Sequence, residues 1–274
     1  IGTHLCAKLH SSGHHVISLD VNHGKDQPWE CLTADIRDEL VLEGIDYVIH
    51  LAAQVSVSQS IINPDETLSI NVDGTSSIIS AAEESRVKRI LFASSAAVYG
   101  DSDQIPTTEG APLIPQSAYA VSKIVGEELL KRTEIETCSM RFFNVYGSDN
   151  GLQSNYAAVI PIFRNAIENN QPLTIYGDGT QVRDFIHVDD LVEVIIRLMK
   201  INSIPSEVNI ATGEGTNLLK LAELLTSDVE RGYQINYEES REGDIHTSLA
   251  DISMLRKYIP DLEFTSLPEG IKLE

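Results

Sequence analysis

Short apolar runs bounded by turn residues, Asp46-Tyr47-Val48-Ile49-His50-Leu51 and Arg89-Ile90-Leu91-Phe92-Ala93-Ser94, alternate with segments of helical periodicity near 67–85 and 118–132. Strands that alternate with helices pair in parallel, since each crossover returns the chain to the same end of the sheet, and a parallel sheet needs helices on both faces. Thr137-Cys138-Ser139-Met140-Arg141-Phe142 reads as a further strand and Val208-Asn209-Ile210 as another. Such a sheet requires a large core, which 274 residues with 42% hydrophobic and 22% charged content supply. The expected architecture is therefore α/β, one large doubly wound domain with or without a smaller lobe. Residues 144–155 and 177–183 are rich in Gly, Asn, Ser and Asp and read as loops. Ligands of open parallel sheets bind beyond the carboxyl ends of the strands, so the residues just after each strand are the first candidates for function.

The chain opens on Ile1-Gly2-Thr3-His4-Leu5, a helical pattern already under way, which Gly13 closes. Val16-Ile17-Ser18-Leu19-Asp20 follows as a short buried strand with a carboxylate at its tip. This is the second half of a βαβ unit whose first strand is expected to be missing from the chain. At the other end, Leu267-Pro268-Glu269-Gly270-Ile271-Lys272 reads as a helix just beginning, so a clipped C-terminus is also expected.

Charge narrows the function. Twenty Lys and Arg against 41 Asp and Glu give a formal charge of −21, which repels nucleic acids and anionic membranes. No apolar run reaches the roughly 20 residues of a membrane span, and no basic-then-apolar leader is visible. The three cysteines, Cys6, Cys31 and Cys138, suggest neither a disulfide framework nor a zinc site. A soluble, cytoplasmic protein with no metal is expected. An anionic substrate would need local cations against this field, so the arginines in polar loops carry information.

Tyr119 and Lys123 stand four apart in Ser117-Ala118-Tyr119-Ala120-Val121-Ser122-Lys123, on one face of a helix. An ammonium beside a phenol favours phenolate and brings it toward the range of a general base, although a chance pair on a solvated helix has the same spacing. Ser94 and Ser95 end the Arg89 strand. A serine there can bond a substrate hydroxyl or carbonyl and share its proton with Tyr119, or simply cap the loop.

Taken in order, Ile1-Gly2, Leu19-Asp20, Ala34-Asp35-Ile36, His50-Leu51-Ala52-Ala53, Asn71-Val72-Asp73-Gly74-Thr75, the Ser95 loop, Tyr119 with Lys123, Arg141-Phe142-Phe143-Asn144 and Arg183-Asp184-Phe185-Ile186-His187-Val188-Asp189-Asp190 span nearly the whole chain. Together they resemble the extended short-chain dehydrogenase/reductase family, and within it the NAD-dependent nucleotide-sugar epimerases and dehydratases typified by UDP-glucose 4-epimerase. The resemblance implies a Rossmann-like doubly wound parallel sheet over 1–143, with 184–212 returning to it. A smaller, mostly C-terminal substrate-binding lobe would comprise 144–183 and 213–274. It implies catalysis by Ser95, Tyr119 and Lys123, the last two also touching the cofactor.

For NAD, the resemblance implies Gly2 as the last glycine of the family's phosphate-binding turn, the rest of which is absent; close helix packing would also explain it. Asp20 would hold the adenosine ribose, unless it is an ordinary turn former. Asp35 and Ile36 would edge the adenine, Leu51, Ala52, Ala53 and Gln54 would run beside the cofactor, and Phe142 would also contact it. Asn71 matches a helix asparagine beside the active site, though a buried structural bond explains it as well. On the substrate side the resemblance points to Asn144 and Arg183 at the diphosphate and Tyr176 at the base. It adds Arg241 on phosphate, Asp244 on ribose and Ser248 against the sugar's 2-substituent; a surface salt bridge is the alternative for each arginine. His187, Asp189 and Asp190 are expected to form a structural turn and helix cap. The implied activity is C4 epimerisation of a nucleotide sugar through a 4-keto intermediate, by a homodimer. A 4,6-dehydratase or decarboxylase would share that intermediate, but usually carries acidic residues where this chain has Ala96 and Ala97. An inactive NAD-binding homologue or fragment is the remaining alternative.

Overall fold

The computed structural model describes residues 1–24, 26–147, 159–227, 232–240 and 245–273. Helix α1 (Gly2–Ser11) buries Leu5 and Leu9, and the chain turns at Gly13 into β1 (Ile17–Asp20), which pairs in parallel with β2 (Glu30–Thr33). After β3 (Tyr47–His50), Ser56 caps α2 (Val57–Ile62) and Asn63 caps α3 (Pro64–Leu68), each side chain accepting a backbone N–H that the helix cannot satisfy itself. A π-helical turn over Ser69–Asp73 leads into α4 (Gly74–Glu84). The segment expected to be one helix near 67–85 is therefore helical but widened once, and the wider turn carries Asn71 into the interior, where it is 3% exposed. Strand β4 (Arg89–Ser95), a 3-10 turn over Ala96–Tyr99, α5 (Ala118–Leu130), β5 (Glu136–Phe142) and β6 (Asn144–Tyr146) follow.

The second half contains α6 (Val159–Glu168), β7 (Leu173–Tyr176), β8 (Val182–His187), α7 (Val188–Lys200) and β9 (Glu207–Ile210). It ends with β10 (Gly215–Asn217), α8 (Leu218–Leu225), β11 (Ile235–Glu238), β12 (Thr247–Ser248), α9 (Ser253–Tyr258) and α10 (Leu267–Leu273), so residues 267–272 are helical as the sequence suggests.

Strands β3, β4, β5 and β9 form a parallel sheet in that order. Its strands alternate between two cores. Leu91, Cys138, Met140, Val208 and Ile210 face a core shared with Leu5 and Leu9 of α1 and Leu191, Val194, Ile195 and Leu198 of α7. Ile90 and Phe92 face the opposite way, against Ile79 and Ala82 of α4 and Leu130 of α5. Both faces are covered, as an all-parallel sheet requires. Among the described residues no ladder joins the β1–β2 pair to β3. In the other lobe β8 pairs with β6 and β12 in parallel and with β10 antiparallel, while β7 pairs with β11. Phe163, Leu173, Ile175, Phe185 and Leu221 pack this lobe's own core. Strand β8 straddles the boundary at 183/184 expected between the lobes, so it ties them together.

Candidate active site

Strand β4 ends at Ser95, whose extended backbone and side chain start the next turn: Oγ accepts a bond from Ala97 N at 3.2 Å. The loop-capping role foreseen as an alternative is thus real. Tyr119, 9% exposed on the first turn of α5, is close enough to Ser95 for that side chain to favour its ionised form. Helix α5 starts at Ser117, whose side chain accepts from Ala120 N. Its buried face carries Tyr119, Lys123, Glu127 and Leu130 at helical spacing. The helix lies close to the sheet because Gly126 lacks a side chain; a Cβ there would stand 2.6 Å from the Phe92 ring.

The electrostatics differ from the simple expectation. Burial holds the Tyr119 phenol above the ordinary tyrosine range, with the nearby Ser95 side chain working the other way. Burial also pushes Lys123 down to about 7, against the pull of the Glu127 carboxylate. The Lys123 ammonium lies 5.6 Å from the Tyr119 ring centre and 4.9 Å from that of Phe92. Desolvation, rather than the ammonium, therefore dominates the phenol in this structure. Next to it, His50 is buried, donates to or accepts from Thr75 Oγ1 at 3.0 Å, and is pushed down to about 3 by desolvation first and the Lys123 charge second.

Behind the pair lies a polar network that sequence reasoning missed. Glu127, 1% exposed, receives Arg141 through Nε to Oε1 at 3.0 Å and through a second guanidinium nitrogen to Oε2 at 2.7 Å, and Ser94 Oγ also donates to it. Arg141 continues to the Tyr99 hydroxyl and the Glu109 carbonyl, each at 2.9 Å, and Tyr99 donates to Asn209 Oδ1 at 2.6 Å. The available signal was an acidic residue one turn after Lys123 on a helix face otherwise apolar, with an arginine inside a buried strand.

Among the cofactor candidates, Asn71 is fully engaged within the chain. Its Oδ1 accepts from Gln54 N at 2.7 Å, and its amide nitrogen donates to Gln54 O at 3.0 Å and Ser122 Oγ at 2.9 Å. It fixes the loop after β3 against α5, the structural alternative foreseen for it. Ala52, Ala53 and Gln54 line that loop, and Leu51 and Phe142 pack at the edge of the sheet core. Asp20 is exposed at the tip of β1 and accepts from Asn22 N at 3.0 Å. Asp35 takes Arg37 through three bonds at 2.7–3.0 Å, which hold its carboxyl down to about 2. Ile36 is 6% exposed and packs where a Cβ on Gly74 would fall 2.5 Å away, so it stacks on α4 as a core residue.

Gly2 supplies a test of dinucleotide fit. It begins α1, and an added Cβ would meet only Leu51 Cδ1, at 3.9 Å. Packing within the chain therefore does not demand glycine there. A glycine leaves the backbone at the helix N-terminus open to an approaching group, and the first turn of α1 carries no acidic residue to repel a pyrophosphate. With Asp20 at the next strand tip and small residues at 52 and 53, these positions fit a dinucleotide across the carboxyl ends of the strands.

The substrate candidates sit on β6, β7, β8 and β12. Asn144 stands opposite Phe185, Tyr176 ends β7, and Ser248 stands directly opposite Arg183 across β12 and β8. One Arg183 nitrogen donates to Val182 O at 2.9 Å and His246 O at 3.3 Å. Arg241 and Asp244 lie outside the described residues. His187 caps α7, its ring accepting from Asp189 N, while Asp190 accepts from the backbone and hydroxyl of Thr265; the structural turn expected here is present. Asp184, 0% exposed, accepts from Thr212, Gly213 and Ala250 and so ties β8 to the segments that follow β9 and β12.

Known proteins with this arrangement are consistent in kind. The model of the NAD dependent epimerase/dehydratase family matches residues 1–211. A putative UDP-glucose 4-epimerase of Methanocaldococcus jannaschii is 36% identical over 289 positions, covering 99% of this chain and 93% of the relative. The solved UDP-N-acetylglucosamine 4-epimerase from Methanobrevibacter ruminantium M1, in complex with UDP-N-acetylmuramic acid, shares 32% identity with a TM-score of 0.89 over 99% of this chain and 93% of its own. An NAD-dependent NDP-hexosamine 5,6-dehydratase of tunicamycin biosynthesis shares 29% identity with a TM-score of 0.90, over 100% and 92%. The match spans the sheet, the Ser95–Tyr119–Lys123 cluster and the start of the second lobe, and this chain belongs to the NAD dependent epimerase/dehydratase family.

Proposed function

We propose that the protein interconverts a nucleotide-diphosphate sugar and its C4 epimer, with UDP-glucose and UDP-galactose or their N-acetylated counterparts as substrates. The observation that carries this reading is the grouping of Ser95 at the carboxyl end of β4 with the buried Tyr119 and, one helical turn away, Lys123, whose ammonium lies 5.6 Å from the Tyr119 ring centre. NAD, when bound, supplies a hydride acceptor and donor. Tyr119 takes the proton of the 4-hydroxyl, and Ser95 stabilises the oxygen as it becomes a carbonyl. The Lys123 ammonium offsets the charge that Tyr119 acquires. The keto sugar then has to turn over in the pocket and regain its hydrogen on the opposite face.

The residues 1–143 and 184–212 serve the cofactor in this reading, and 144–183 with 213–274 serve the sugar nucleotide. Asn144, Tyr176, Arg183, Arg241 and Asp244 hold its diphosphate, base and ribose. Arginine suits a diphosphate because its planar fork donates paired charge-assisted bonds. Ser248, small and opposite Arg183, leaves room for a 2-acetamido group, in keeping with the N-acetylglucosamine substrate of one structural relative. A cytoplasmic homodimer belongs to the same reading: among the described residues no helix is long and apolar enough to cross a membrane, and Val57, Ile61, Ile62 and Val121 expose apolar surface on α2 and α5.

The 5,6-dehydratase relative keeps a second reading in view. Eliminating water needs an extra proton donor near the sugar, and the turn after Ser95 presents Ala96 and Ala97 instead. Incubation with UDP-glucose and UDP-N-acetylglucosamine, followed by NMR of the products, tests the proposal. The 4-epimers are expected; a 4-keto-6-deoxy or unsaturated product would replace epimerase by dehydratase.

A further inference from the structure

Lys123 is the one member of the reacting cluster whose charge is poorly supported. It is 3% exposed, on a face that gives it the rings of Phe92 and Tyr119 as neighbours. An ammonium so placed tends to lose its proton, and a neutral amine does nothing for a phenolate. Something has to hold the charge there.

We propose that Glu127, fixed in place by Arg141 and Ser94, is a positioning residue of the reaction whose carboxylate keeps the Lys123 side chain in its ammonium form beside Tyr119. The inference rests on the epimerase-type chemistry above, but concerns a residue outside its reacting cluster. Lys123 and Glu127 are four apart on the buried face of α5, the spacing at which side chains on a helix are neighbours. Elements near α5 bring charged and titratable groups of their own. Strand β3 brings His50, held neutral by burial; β5 brings Arg141, a cation; the 3-10 turn brings Tyr99. The loop before α5 brings Glu109, whose carboxylate accepts from Asn209 N at 2.9 Å. Glu127 alone among these is an anion on the lysine's own face.

The Arg141 pairing has a direction. Arg141 reaches Glu127 from β5, and its other guanidinium nitrogen is drawn away toward the Tyr99 hydroxyl and the Glu109 carbonyl. The pair is therefore oriented, with its negative end on the helix that carries Lys123. In the balance that sets the lysine's protonation, burial acts against the ammonium and the Glu127 charge acts for it. Ser94, the residue before Ser95, donates to the same carboxylate and so links the end of β4 to it.

The test reads Lys123 directly. In the full chain with lysine labelled with 13C at Cε, and the Lys123 signal identified by its loss in Lys123→Met, the signal is followed against pH in the wild type and in Glu127→Gln. The Lys123 titration is expected to move down by about one pH unit or more in the variant. The alkaline limb of kcat should follow it, while KM for the nucleotide sugar stays within about twofold. Because Glu127→Gln leaves Arg141 without its anion and can fail to fold, Glu127→Gln with Arg141→Met replaces the whole pair by neutral groups. A downward shift is expected there too. A Lys123 titration that stays within a few tenths of a unit of wild type in whichever variant folds would overturn the proposal and leave Glu127 a structural partner of Arg141. The signal reports on Lys123 whatever sugar is turned over, so a wrong substrate assignment would show in the product analysis and not here.

Discussion

The proposed reaction cluster and the proposed cofactor rim are built in opposite ways. Around Tyr119 and Lys123, Glu127, Arg141, Ser94, Tyr99 and Asn209 are all buried and bonded to one another across β4, α5, β5 and β9. At the rim, Asp20 and Asp35 are held by turns of their own segments, through Asn22 N and Arg37, and the Asp20 carboxylate faces solvent. A group that must be aligned to a fraction of an ångström is fixed by packed elements; one that only has to meet a ligand's hydroxyls can wait in a loop for it.

That contrast can be broken in four places, and the largest effect belongs to the cluster. Tyr119→Phe should lower kcat by roughly 10²–10⁴-fold while nucleotide-sugar binding, read by calorimetry with UDP, is nearly unchanged. A rate close to wild type would remove Tyr119 from the chemistry.

Breaking the network comes next. Arg141→Ala leaves Glu127 as an uncompensated buried charge and should cost about 3–5 kcal/mol in urea unfolding. At the rim, Arg37→Ala should leave the unfolding midpoint unmoved, because its bonds to Asp35 and Glu66 lie in water. Equal losses in the two variants would erase the distinction between the regions.

Lys123 should show stability set against function. Its folded pKa of about 7 lies below the ordinary lysine value of 10.5, so between those pH values the unfolded chain binds more protons than the folded one. Stability should rise with pH across that window, and Lys123→Met should be the more stable protein at pH 7 and lack that rise, while its activity falls. A variant less stable than wild type at pH 7 would mean that the lysine's contacts outweigh its desolvation. The smallest effect is cofactor choice. In the proposed reading Asp20 would meet a 2′-phosphate with like charge, so NAD should be preferred over NADP by about tenfold or more, and comparable affinities would take Asp20 out of cofactor selection.

The two regions also differ in how far they can be read from sequence. The β3, β4, β5 and β9 strands announce themselves as apolar runs, because that pattern is local, whereas Tyr119, Lys123 and Ser95 stand out only through the ordered set of motifs that resembles the family, since their spacing and place at a strand end are common by themselves. The Glu127–Arg141 pair is not local: its partners lie 14 residues apart on a helix and the neighbouring strand, and only the parallel pairing of β4 with β5 brings them together. The π-helical turn at Asn71 escaped for the same reason, since it is stabilised by bonds to Gln54 and Ser122 from two other segments. The packing of Ile36 escaped for the same reason, since its burial depends on the absence of a side chain at Gly74, 38 residues on. The lowered phenol expected from an adjacent lysine failed on depth of burial, a quantity that helical spacing does not contain.

The most direct measurement is turnover of UDP-glucose or UDP-N-acetylglucosamine in D2O, with the hydrogen content of the product's C4 and C5 read by NMR. Removal of the 4-hydroxyl proton by Tyr119, with the carbon-bound hydrogen kept inside the pocket, should give the 4-epimer with C4 still carrying its original hydrogen and no deuterium at C5. Deuterium at either carbon, or a dehydrated product, would contradict C4 epimerisation by a closed hydride transfer.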